Sequence, residues 1–119
     1  MTPRKKLVKK LDTVFSLYIR DRDKKCCTCG SVKNLTCGHL ITRSKYSTRW
    51  NERNAFAQCK SCNFRHEYQP EIMTSWYIKK FGAEQYQSLV RLSNQIRKFS
   101  NTDLEMTISE YQKDLIIKE

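Results

Sequence analysis

Apolar residues recur at helical spacing near the start of the chain: Leu7, Leu11, Val14, Phe15 and Tyr18, with Lys5, Lys6, Lys9, Lys10 and Arg20 on the other side. The pattern predicts a helix over residues 4–20, ended by Asp21-Arg22-Asp23. Its apolar stripe reads as core, while its lysine face suits either solvent or phosphate. Helical period is then lost until Cys59. Two short segments in between, 35–41 and 55–57, have the character of strands, and a helix is expected from Lys60 or Ser61 past Asn63. Pro70 at a first helical position and Gly82 at a C-terminal end bracket a further helix carrying Ile72, Met73, Trp76, Tyr77 and Phe81. Another is expected over 83–99, with Tyr86, Leu89, Val90 and Phe99 on related faces. Thr102-Asp103-Leu104-Glu105 matches a capping box, after which Leu104, Ile108, Tyr111 and Leu115 repeat at spacings of three and four. These C-terminal stripes read as core or as the seam of a dimer.

A chain of 119 residues fits one domain, divided into an N-terminal basic helix (1–22), a central unit (23–69) and a helical extension (70–119). So small a domain buries only part of its surface, which gives a metal staple an obvious structural role. No apolar run approaches the ~20 residues that cross a bilayer. The basic N-terminus leads into an amphipathic segment, unlike a secretion signal.

Charge changes the picture most. Lys and Arg number 23 against 12 acids, a net +11 with pI near 9.6. The excess is +6 over residues 1–25 and +8 over 26–100, whereas 101–119 carries −3. That distribution is the electrostatic footprint of a nucleic-acid binder. A merely soluble basic protein or one touching anionic lipid is the bland alternative.

Six cysteines without a secretion signal point to a reducing compartment, as in a cytoplasm, where paired cysteines serve metals more often than disulfides. Cys26-x-x-Cys29 and Cys59-x-x-Cys62 are two knuckles of a four-thiolate structural zinc site. Gly30 suits a tight knuckle turn. Cys27 would need a different register, and Cys37 reads as buried and unliganded.

Between the knuckles lies His39. A lone histidine is usually a packed or surface side chain, but a neutral imidazole there can also take a proton from water near neutral pH. Asn63 follows the last cysteine and shares a helix face with Glu67, four residues on, and with His66 at the three-residue spacing. Amide and carboxylate oxygens suit magnesium or manganese, with His66 the alternative ligand to Glu67.

Cys26-x-x-Cys29, Gly38-His39, Asn54 and Cys59-x-x-Cys62-Asn63 together resemble the HNH, or ββα-metal, endonucleases. Within that superfamily the stretch is most similar to the phage NinG (Rap) recombination proteins, through Gly38-His39, Thr48-Arg49-Trp50-Asn51-Glu52-Arg53-Asn54 and Gln58-Cys59. The likeness covers roughly residues 24–90. The four-cysteine frame is also similar to that of the junction-resolving T4 endonuclease VII. The resemblance implies an α+β fold: a zinc-stapled ββα-metal core with an N-terminal helix and two or three C-terminal helices. It implies that His39 is the general base, Asn54 holds the loop that orients it, and Asn63 ligates a catalytic Mg2+ or Mn2+. Where many HNH enzymes carry an acid or histidine before the base, this chain has Gly38. NinG proteins often carry an acid slightly upstream, where Thr36 and Cys37 stand here. A carboxylate must then come from elsewhere, Glu67 first.

The function expected from this resemblance is a metal-dependent DNA endonuclease, an HNH-type hydrolase of phosphodiester bonds in branched recombination intermediates such as Holliday junctions and forks. Arg43, Lys45, Arg49, Arg53 and the first helix would grip phosphates without reading sequence. Tyr46 and Trp50 suit packing better than base stacking. Paired nicks would call for a homodimer. The rival from another class is a non-catalytic zinc-stapled DNA-binding factor of recombination, and a third reading is an RNA-binding zinc protein.

Overall fold

A two-stranded antiparallel hairpin divides the molecule. Strand β1 (Leu35–His39) pairs with β2 (Ala55–Cys59), Leu35 opposite Cys59 and His39 opposite Ala55. Opposed residues share a face and neighbours alternate. Leu35, Cys37, His39, Ala55 and Ala57 therefore lie on one side, and Thr36, Gly38, Phe56 and Gln58 on the other. The computed structural model describes residues 1–118, and its elements are α1 (Pro3–Asp23), β1, α2 (Tyr46–Arg49), β2, α3 (Lys60–His66), α4 (Pro70–Phe81), α5 (Ala83–Ser93) and α6 (Asn101–Lys118).

On the first face, the small side chains of Ala55 and Ala57 let α1 approach closely. Leu11, Val14, Phe15 and Ile19 of α1 join Trp50, Phe99, Leu104 and Ile108 in one buried cluster. On the second face, Leu40, Phe56, Met73, Tyr77 and Leu89 form another. The hairpin is thus buried on both sides, and β2 is buried along its whole length. Among the described residues no helix is long and apolar enough to cross a membrane.

Several boundaries differ from expectation. Helix α1 runs through Asp23, three residues past the expected end, because Arg22 and Asp23 are tied inward. Arg22 donates to the carbonyls of Glu52 and Ala55, and the Asp23 carboxylate accepts the Ala57 N–H at 2.8 Å. Lys24, at φ 64°, then turns the chain. The strands span residues 35–39 and 55–59, and the basic connection between them holds the one-turn helix α2. Helix α5 stops at Ser93 instead of continuing to 99. Phe99 is needed elsewhere: its ring packs edge-on against Trp50 at 5.1 Å, and its carbonyl accepts from Arg4.

The capping box is also displaced. Ser100 Oγ accepts the Asp103 N–H and the Asp103 carboxylate accepts the Ser100 N–H, both at 3.0 Å. Ser100-x-x-Asp103 therefore caps α6, not Thr102-x-x-Glu105. The apolar stripe of α6 lies on α1, and Tyr111 meets Phe15 and Tyr18. It is spent on the chain's own core.

Candidate metal and nucleic-acid site

The two knuckles converge. The sulfurs of Cys26, Cys29, Cys59 and Cys62 all lie within 4.8 Å of one another. A tetrahedral zinc with Zn–S of about 2.3 Å has edges of about 3.8 Å. The Cys29–Cys59 separation of 3.7 Å fits that edge. The Cys26 N–H bonds the Ser31 carbonyl, and Gly30, at φ 78°, closes the turn by donating to Cys26. The Cys27 N–H bonds the Ala57 carbonyl, so the first knuckle is stitched to the free edge of β2. The second knuckle is the β2–α3 junction itself.

The electrostatics of the four thiols call for a cation. Burial alone would raise Cys26, but the Thr28 hydroxyl and the backbone N–H groups around it outweigh burial and draw it down to about 6. At Cys62 the Thr28 hydroxyl pulls down, while burial and the three other thiols push the group up to about 12. Four sulfurs at this spacing cannot all ionise without a positive ion among them. Cys27 and Cys37 stand outside the cluster. Burial pushes each up to about 12, as for inert packed thiols, and Cys37 lies against the α1 core.

His39 ends β1 on the α1 face, its ring 5.9 Å from that of Phe15. Nε2 is 2.8 Å from the Arg49 carbonyl and must carry the proton to donate there. Nδ1 then keeps a bare lone pair, and it is not among the sealed side-chain atoms without a partner. Burial holds the ring down to about 4, helped by Arg43, against the opposing pull of the Arg49 carbonyl and Asp12. At neutral pH the imidazole is uncharged.

Asn54, 0% exposed, fixes the loop that positions His39. Its Oδ1 accepts from the Ile41 N–H at 2.8 Å, and its Nδ2 donates to the carbonyls of Ile41 and Thr48. The backbones of Leu40 and Asn54 also pair, so the ends of the 40–54 segment are locked together.

The second face holds the other candidates. Asn63 donates from Nδ2 to the Thr36 hydroxyl at 3.0 Å, which itself donates to the Gln58 carbonyl. His66 Nε2 faces the Leu40 carbonyl at 3.3 Å. Glu67 is exposed at the end of α3. Apart from the four cysteines, no three ligand atoms from His, Asp, Glu or Cys gather among the described residues. Asn63 and His66 thus meet β1, whereas Glu67 looks to solvent.

Of the expected phosphate ligands, Arg43, Lys45 and Arg53 are exposed. Arg49 is not free: it makes a two-pronged bond to Asp12 at 3.1 and 2.7 Å and lies over the rings of Tyr46 and Trp50. Trp50 is 5% exposed and donates to Asp12, so its role is packing. Sequence reasoning missed Asp12. Its signal was being the lone acid within the first turns of a lysine-rich helix. It also missed an open groove of about 720 Å3 where Lys25, Arg53 and Lys80 border Phe56, Trp76 and Phe81. Lys80 sits 5.5 Å over the Trp76 ring there.

A four-cysteine α+β protein with a pinned histidine and a basic surface is the class these observations define. The chain belongs to the family described as bacteriophage lambda NinG protein, whose family model matches residues 1–119. No curated protein and no solved structure matches it.

Proposed function

We propose that this protein is a metal-dependent DNA endonuclease with an HNH-type core, acting on branched recombination intermediates such as Holliday junctions and forks. The observation that carries the reading is His39: its Nε2 proton is spent on the Arg49 carbonyl, Asn54 locks the supporting loop, and Nδ1 is left as a bare base. Water attacking phosphorus would give its proton to Nδ1 as the new P–O bond forms and the bond to the leaving 3′ oxygen breaks. In-line displacement puts the nucleophile and the leaving group on opposite sides of phosphorus. His39 lies on one face of the hairpin, and Asn63 and His66 approach β1 from the other. A divalent ion held by those ligands would supply charge stabilisation for the phosphate. Arg43, Lys45 and Arg53 would hold the flanking backbone.

The test is cleavage of supercoiled, forked and four-way-junction DNA with Mg2+ or Mn2+, wild type beside His39→Ala. Cleavage by the wild type is expected, with a loss of at least ~100-fold in the variant. A wild type that binds and never cuts, or a variant that cuts equally well, defeats the enzyme reading. The second reading, a non-catalytic DNA-binding factor, is favoured by one observation: the β1 positions facing Asn63 carry Thr36 and Gly38 and no carboxylate.

A further inference from the structure

Helix α4 keeps part of its aromatic surface out of the core. Met73 and Tyr77 are buried, whereas Trp76 and Lys80, four residues apart and so neighbours on the helix, border the groove beside β2. Phe81 ends the helix 38% exposed. Gly82, at φ 95°, then turns the chain, and Gln85 of α5 joins the same wall. The rings are held from below by β2: Phe56 meets Trp76 edge-on at 4.9 Å and lies nearly parallel to Phe81 at 5.8 Å. Lys80 Nζ rests 5.5 Å from the centre of the Trp76 ring and 5.7 Å from that of Phe81.

Charge in the groove is one-sided once its pairs are taken out. Arg22, Lys25, Arg53 and Lys80 line it with Asp23 and Glu52. Asp23 is bound to Arg22 and to the Ala57 N–H, and Glu52 accepts the Tyr18 hydroxyl at 2.7 Å. Among the described residues no ion pair engages Lys25, Arg53 or Lys80. These three cations outnumber the charge that Glu52 keeps. The basic track also continues: an adjoining hollow shares Arg53 and Gln85 and runs along α5 past Ser88 to Arg91, with Glu84 opposing.

Aromatic rings set low between unpaired cations suit a ligand that offers flat faces and anionic links together. A duplex offers its phosphates but keeps its base faces stacked on one another. An unpaired strand offers both, bases to the rings and phosphates to the cations. A cation on an exposed ring is weakly held, so an arriving base can displace Lys80 toward a phosphate.

We propose that this groove binds an unpaired DNA strand, one base lying against Trp76 and Phe81 and the flanking phosphates meeting Lys25, Arg53 and Lys80. Arg53 stands beside Asn54, whose backbone pairs with that of Leu40, the residue after His39. The strand would therefore pass the segment that supports the candidate base. The site deepens the nuclease reading and rests on it for the choice of DNA over RNA.

The experiment adds an oligothymidylate of about 12 nucleotides to the zinc-loaded full chain, without Mg2+ or Mn2+, and follows tryptophan emission. Trp50 is 5% exposed and Trp76 lines the groove, so quenching reports Trp76. Trp76→Leu should abolish the quench and, read by gel shift, weaken single-strand binding at least ~10-fold, with less than about a twofold change for a duplex of equal length. Lys80→Ala should flatten the single-strand salt dependence by about 0.7. An abasic strand with the same phosphates should bind the wild type at least ~10-fold more weakly than oligothymidylate, and this comparison carries the test if Trp76→Leu does not fold. Absence of quenching, equal binding of the abasic strand, or equal weakening of duplex binding by Trp76→Leu overturns the proposal. Tighter binding of oligouridylate, or quenching by an acidic tyrosine-containing peptide alone, gives the groove to RNA or to protein and also overturns it. Forked DNA with Mg2+ is then scored for cleavage. Quenching with no cleavage defeats the nuclease reading alone, and cleavage with no quenching defeats this site alone.

Discussion

At the scale of single residues, His39 carries a consequence that pH can read. Its folded pKa of about 4 lies below the ordinary 6.5 because the ring is buried beside Arg43. The unfolded chain therefore takes up a proton between these values while the native chain does not. Stability falls as pH drops from about 6.5 and levels off below about 4, by up to about 3 kcal/mol from this group. His39→Gln, which keeps a donor for the Arg49 carbonyl, should remove that part of the slope. Acid also releases zinc from thiolates, so the quantity to measure is the difference between the two denaturation curves across pH. A difference that stays flat would mean that the ring is not buried as described. The four cysteines were legible in advance, because the spacing of two knuckles points to their convergence without knowledge of packing, whereas Asn54 was singled out by the family resemblance. Arg49 and Asp12 were not legible. Whether an arginine meets a carboxylate or a phosphate is decided by which faces come together.

Elements were legible where period and punctuation agreed. Pro70 and Gly82 bracket α4 as expected, and the strand–knuckle–helix order around Cys59 follows from composition. The sequence misled at two neighbouring places, 94–100 and the start of α6, for one reason. Apolar spacing carries the helical pattern of α5 on to Phe99, yet Phe99 packs on Trp50 across the molecule, and tertiary packing overrides local preference there. The restart then falls at Ser100, just ahead of the motif that looked like a cap. Two nearby hydroxyls thus make opposite predictions. Ser100→Ala removes an acceptor for the Asp103 N–H and should cost about 1 kcal/mol. Thr102→Ala, inside the first turn, should stay within about 0.5 kcal/mol. Chemical denaturation of the two variants decides, and the reverse order would restore Thr102 as the cap.

For the whole molecule, the net charge of +11 sets how it meets a polyanion, but only the cations left on the surface act at a distance. Arg43, Lys45 and Arg53 are exposed around the 40–54 loop, whereas Arg49 in the same segment is bound to Asp12 and stacked on Tyr46 and Trp50. One basic segment therefore contains two kinds of arginine, and salt separates them. Removing one side chain that neutralises a phosphate should flatten the dependence of log K on log salt by about 0.9. Arg43→Ala, Lys45→Ala and Arg53→Ala are each expected to weaken DNA binding, to reduce that slope by up to this amount, and to leave the melting temperature almost unchanged. Arg49→Ala should do the opposite. It leaves Asp12 with only the Trp50 indole N–H, loosening α1 from the loop at a cost of about 1–2 kcal/mol, while the salt slope stays near that of the wild type. Binding measured from about 50 to 200 mM salt, beside thermal unfolding, distinguishes the two classes. If Arg49→Ala lowered the slope as much as Arg43→Ala and melted like the wild type, the ion pair with Asp12 would be one that DNA breaks. Arg49 would then belong with the phosphate ligands after all.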